Sequence, residues 1–128
     1  MGFMEKYTDE CYALLRIVSG FIFLWHGASK VLGIPGEGPS EMAMMLYVVG
    51  PIELIGGIFI CIGFMTRISA FIASGLMAAA YWMAHFSIDN IFPTLNQGDA
   101  AILYCFVFLS IAARGAGMWS VDSDDTVY

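Results

Sequence analysis

The residues that could carry chemistry are few, and they sit in apolar surroundings. Glu53 lies in the run PIELIGGIFICIGF, and His26 and Lys30 lie four apart in residues 14–33, LLRIVSGFIFLWHGASKVLG. That spacing puts His26 and Lys30 on one face of a helix. A charge at the centre of a bilayer costs about 2.5–3.5 kcal/mol on insertion scales, so such a group faces protein or a water-lined cavity and marks a candidate site. A carboxyl at that depth is protonated, paired or hydrated. Glu53 is therefore read as a proton-accepting or hydrogen-bonding group for the polar head of a buried ligand. The structural alternative is an interhelical bond to Ser19, Ser29 or His26. His26 could bond a ligand carbonyl, shuttle a proton or bond a neighbouring helix. Lys30 could join the ligand or snorkel to lipid headgroups. His85 follows Tyr81 and Trp82, and these three suit either the entrance of such a site or an interfacial aromatic belt. A haem held by the two histidines is disfavoured by their different depths and by the lack of a second pair.

Three arginines form a second group. Arg16, Arg67 and Arg114 read as interfacial anchors whose partners are lipid phosphates. Arg16 lies deepest of the three, so a carboxylate or carbonyls near a helix end are expected to pair with it. Cys11, Cys61 and Cys105 are isolated, and no C-x-x-C spacing suggests zinc or dithiol chemistry. They read as small buried hydrophobes, and no metal site is expected.

The elements that position these side chains follow from composition. Of 128 residues, 59% are hydrophobic and 12% charged, against about 45–50% and about 25% in a soluble domain. One membrane bundle over 1–128 is expected. The net charge of −6 falls largely in the ends and loops, with Asp122, Asp124 and Asp125 read as a solvated tail. Five basic residues leave no electrostatic footprint for nucleic acid. The N-terminal stretch lacks the basic region of a secretory signal.

A crossing needs about 20 residues for a core of about 30 Å. Four segments approach that length, at about 11–32, 40–64, 67–86 and 98–114. The first ends before a cluster of Gly33, Pro35, Gly36, Gly38 and Pro39. The second begins near Ser40 and carries Gly50-Pro51, where a kink is expected. The fourth is short, which predicts a shallow or tilted end. Small residues for close packing are Ser19, Gly20 and Gly27, then Gly56, Gly57 and Gly63, then Ala70, Ser74 and Ala78. The fold class predicted is an all-α integral membrane protein, an antiparallel four-helix transmembrane bundle. Lys6, Arg16, Arg67 and Arg114 would lie on one side and Lys30 on the other, so both termini are expected in the cytoplasm. His26, Lys30, Glu53 and His85 then gather in the outer half.

These motifs carry a resemblance. Leu14-Leu15-Arg16, Phe23-Leu24-Trp25-His26-Gly27 and Lys30 resemble the first span of the DoxX family of small bacterial and archaeal membrane proteins. Glu53-Leu54-Ile55-Gly56-Gly57, Gly63 with Thr66-Arg67, and His85 continue the likeness. Residues 115–122, GAGMWSVD, look like the family's closing Gly-Pro-Gly-aromatic-Ser-x-Asp element, with Ala116 in place of proline. The resemblance implies a four-helix protein of the cell (inner) membrane, with some relatives serving as subunits of quinone-linked oxidoreductases.

Together these readings lead to a small membrane subunit that binds a quinone or another lipophilic ligand in the outer half of the bundle. Glu53 and His26 would meet its head, with His85, Tyr81, Trp82 and Lys30 nearby. Quinone reduction couples electrons to protons, which suits a buried carboxyl beside an imidazole. The sequence holds no recognisable redox centre and no covalently bound cofactor is expected, so other subunits of a membrane complex would deliver the electrons. The alternative is a non-enzymatic anchor or assembly subunit whose buried polar groups are structural.

Overall fold

In hydrocarbon every backbone N–H and C=O must be satisfied within the chain, which leaves apolar runs of this kind only the helix. The computed structural model describes residues 2–123 and 128. After one 3-10 turn at Glu5–Tyr7 come α1 (Thr8–Val31), α2 (Met45–Ile62), α3 (Thr66–His85) and α4 (Asp99–Arg114). Among the described residues no strand forms, apart from one isolated bridge between Ser87 and Asn90. The helical stretches Glu5–Val31, Met45–Ile62 and Thr66–His85 hold 27, 18 and 20 residues and are long and apolar enough to cross a membrane. At 16 residues α4 spans about 24 Å, less than the hydrocarbon core, as the sequence leads one to expect. The chain is an all-helical integral membrane bundle.

The helices alternate in direction. One end, here the terminal end, holds the start of α1, the end of α2, the start of α3 and the end of α4. The other, the loop end, holds the Gly/Pro-rich α1–α2 loop and the α3–α4 loop. The α2 helix begins about five residues after Ser40, because Ser40 belongs to the loop. Its N–H donates to the Lys30 carbonyl at 2.8 Å, and its hydroxyl accepts the Met42 N–H. The irregularity at Gly50-Pro51 takes the form of a π-helical turn over Met45–Val49. Pro51 has no N–H to give and crowds the carbonyl four residues back, so the helix widens just before it.

Glycines set the spacing of α1 against α2. A Cβ on Gly20 would lie 2.5 Å from the Cys61 backbone nitrogen, and one on Gly57 would lie 2.5 Å from that of Leu24. Gly27 packs as closely onto Leu54 and the Gly50 carbonyl. Such contact brings two backbones together where lipid offers no hydrophobic drive. Gly56, read from the sequence with these, faces open space and makes no such contact. On the other side Ser74 donates to the Cys105 carbonyl at 2.8 Å, tying α3 to α4. Phe23, Ile60, Ala70, Ala73, Phe108 and Ile111 fill the centre, with the Phe23 and Phe108 rings 4.7 Å apart.

The terminal end is closed by a polar knot that corrects two readings. Arg16 is fully buried, so it is no lipid anchor. Its Nη1 donates to the carbonyls of Ile60 and Cys61 at 2.8 Å each, and its Nη2 to those of Met118 and Trp119. This is the carbonyl pairing expected of the deepest arginine. The last carbonyls of α2 are orphans of the helix end, and a planar guanidinium can serve several at once. Gly63 ends α2 in the left-handed region at φ 71, where the site of a Cβ is taken up by Ser120 and Arg16. Arg67 likewise caps α4 instead of anchoring to phosphates, donating to the carbonyls of Ala112, Ala113 and Arg114. Arg114 stays exposed, paired with Asp9 at 2.7 Å and lying over the Tyr12 ring.

Asp122 overturns the solvated-tail reading at its own position. Its carboxylate accepts the N–H groups of Met65 and Thr66 and the Thr66 hydroxyl, so it caps α3 from across the chain. The adjacent backbone adds Val121 N–H to Ile62 O and Asp122 N–H to Gly63 O. Asp124 and Asp125 lie outside the described residues.

Candidate polar site at the loop end

Close approach of α1 and α2 decides where their polar groups meet. Gly27 and Gly50 let the backbones touch, and a Cβ on Gly50 would meet the Lys30 side chain. From there Lys30 Nζ reaches Glu53 Oε2 at 2.6 Å and also donates to the His26 carbonyl at 3.2 Å. The Glu53 side chain is 5% exposed and that of Lys30 24%. Thus Lys30 turns inward to the acid and does not snorkel outward. Glu53 pairs with Lys30, not with Ser19, Ser29 or His26. Ser19 donates within its own helix to the Leu15 carbonyl, and Ser29 donates to the His26 carbonyl. A charge-assisted contact this short is strong where the surrounding dielectric is low, and it satisfies a carboxylate that hydrocarbon would not tolerate alone.

The expected neighbours divide into two groups. His26 shares the Lys30 face, but its imidazole points to the exposed side of the bundle. There it meets the edge of Tyr104 at 6.2 Å. Among the described residues nothing hydrogen-bonds to the His26 ring or to the Tyr104 hydroxyl. Tyr104 also stacks on Phe108, meets the Phe23 ring at a tilt and lies within electrostatic reach of Glu53. One tyrosine in an apolar span reads as packing, so nothing in the residue pattern singles it out.

His85, Tyr81 and Trp82 form a separate group at the end of α3. His85 Nδ1 donates to the Asn96 carbonyl at 3.1 Å. Tyr81 is buried and sits against Gly98, while Trp82 is 63% exposed and packs on Tyr81 and Phe86. Their bonding is to the α3–α4 loop, and no hydrogen bond, ion pair or ring contact joins them to the Lys30–Glu53 pair among the described residues. No cluster of three or more metal-binding side chains occurs among those residues either.

Comparison with known proteins places this geometry in context. The DoxX family model matches residues 11–86, which include Arg16, His26, Lys30, Glu53, Arg67 and His85. A protein of Haemophilus influenzae described only as uncharacterized is 38% identical over 129 residues, covering 96% of each chain. The Bacillus subtilis protein named "Putative oxidoreductase CatD" is 43% identical over 124 residues, covering 93% of this chain and 90% of its own. The Escherichia coli inner membrane protein YqjF is 27% identical, covering 93% and 95%. No solved structure matches.

Proposed function

The chain belongs to the DoxX family of membrane proteins, and on that premise we propose that it is a small subunit of a quinone-linked oxidoreductase of the cell membrane. It binds the head of a quinone or a similar lipophilic molecule in the loop-end half of the bundle. The observation that carries this reading is the Lys30–Glu53 pair, a 2.6 Å ion pair within spans that otherwise hold almost no charge. Reduction of a quinone consumes protons as well as electrons. The pair sets an acceptor and a donor side by side inside the spans, where the head of such a molecule would meet them. His26, four residues from Lys30, supplies a second titratable ring at the same end. Electrons come from a partner subunit carrying a redox centre, and the oxidoreductase name of the Bacillus subtilis relative supports that setting.

A second reading rests on the same pair. Lys30 ties Glu53 on α2 to the His26 carbonyl on α1, so the group also serves as a staple for an anchor or assembly subunit. Glu53→Gln and His26→Ala separate the two in the purified membrane complex. Loss of quinone-linked activity with assembly intact supports the first. Loss of assembly with Glu53→Gln supports the second, and unchanged behaviour in both assays removes Glu53 from the site.

A further inference from the structure

A lateral groove of about 560 Å³ runs between α1 and α4. Leu15, Ser19 and Ile22 line it from one helix, and Leu103, Tyr104 and Val107 from the other. Its volume falls in the range of small-molecule sites, about 300–1,000 Å³. The α1 lining continues at helical spacing into His26 and then Lys30, so the apolar wall leads to the polar site. The Ser19 hydroxyl in this wall is turned back onto the Leu15 carbonyl at 2.6 Å.

Depth gives the chemistry of the ligand's head. His26 lies five residues before the end of α1 and Tyr104 five residues after the start of α4, so each sits about 7.5 Å below its helix end. Both present polar atoms that no described residue satisfies. Bulk phospholipid keeps its charged phosphate at the interface, above this level, and a charge carried down here would be costly. A neutral ring bearing carbonyls or hydroxyls can descend, accept from the Tyr104 hydroxyl and bond the imidazole.

We propose that the α1–α4 groove is the tail channel of this site. Its occupant is a lipid with one long apolar chain and an uncharged carbonyl- or hydroxyl-bearing head, which enters sideways from the bilayer and is held at the head by His26 and Tyr104. The proposal rests on the functional reading above and adds the tail path, the side entry and the role of Tyr104.

The test uses the purified full chain in nanodiscs and two probes, a benzoquinone without a tail and the same ring bearing a decyl tail. Comparing variants with one probe in one bilayer cancels the probe's partitioning into lipid. Val18→Trp fills the groove from a half-exposed, lipid-facing position, and Val107→Phe fills it from the other helix, below the level of the head. Either variant is expected to weaken the decyl probe roughly tenfold, equivalent to about 1.4 kcal/mol, and to spare the tailless one. Tyr104→Phe is expected to weaken both. A photoreactive group at the tail end is expected to label α1 and α4 near Leu15 and Val107. The inference is overturned if the groove-filling variants leave decyl binding unchanged, or if a photoreactive phosphatidylcholine labels the groove equally well. Failure of both probes to bind the wild-type chain overturns the functional reading itself, so the two failures are distinct.

Discussion

Lys30 and Glu53 carry most of the chemical interest in this chain, and their pairing follows from reach. A lysine stem is long enough to cross a helix contact that glycines have made close. Lys30→Met leaves the acid buried with no cation. Breaking a fully buried pair costs about 3–5 kcal/mol, and the quarter exposure of Lys30 reduces the expected loss to about 2 kcal/mol. Unfolding in detergent reads this directly. Adding Glu53→Gln to Lys30→Met should restore much of the loss, since the stranded charge is gone. Strictly additive losses would mean that the two side chains do not interact. At this scale the sequence was legible in part. An acid inside an apolar run announces itself, and so does a buried arginine. The partner of each was hidden, because helix depth placed Lys30 near the surface and Arg16 takes two of its four carbonyls from the coil at Met118 and Trp119.

The elements owe their positions to short contacts whose signals differ in clarity. Four long apolar runs fix four helices, and their ends fall close to expectation except at Ser40, which a loop bond to Lys30 claims. Glycine positions were visible in the sequence, but which face they served was not. Gly27 interlocks with α2 while Gly56 faces open space. Gly27→Ala should therefore force α1 from α2 and cost about 1–3 kcal/mol, as overpacking does. Gly56→Ala should be neutral or slightly stabilising, because alanine is the better helix former and meets nothing. Equal effects of the two in a thermal unfolding series would contradict the interlocked contact. The closing segment 115–122 was readable as a motif and unreadable as a device. Only the fold shows Asp122 capping α3 from the far end of the chain.

The molecule as a whole divides its polar groups between its ends. The terminal end is a structural knot in which Arg16, Arg67 and Asp122 close three helix ends. The loop end holds the Lys30–Glu53 pair, with His26 and Tyr104 on the lipid side. Basic residues favour the terminal end by four to one, with Lys6, Arg16, Arg67 and Arg114 against Lys30. That bias is expected to set the terminal end in the cytoplasm. In a cysteine-free background, an impermeant maleimide should label Asp89→Cys in intact spheroplasts and Gly2→Cys only after permeabilisation. The reverse pattern would invert the orientation and place the site on the cytoplasmic side.

The central claim is that a membrane-buried acid, held by lysine, meets the head of a lipophilic ligand. Binding of the tailless benzoquinone to the chain in nanodiscs, wild type beside Glu53→Gln, tests it most directly. Saturable binding that falls roughly tenfold or more in the variant, about 1.4 kcal/mol, is the expected result. Equal affinity in a variant that folds as well as wild type would contradict it.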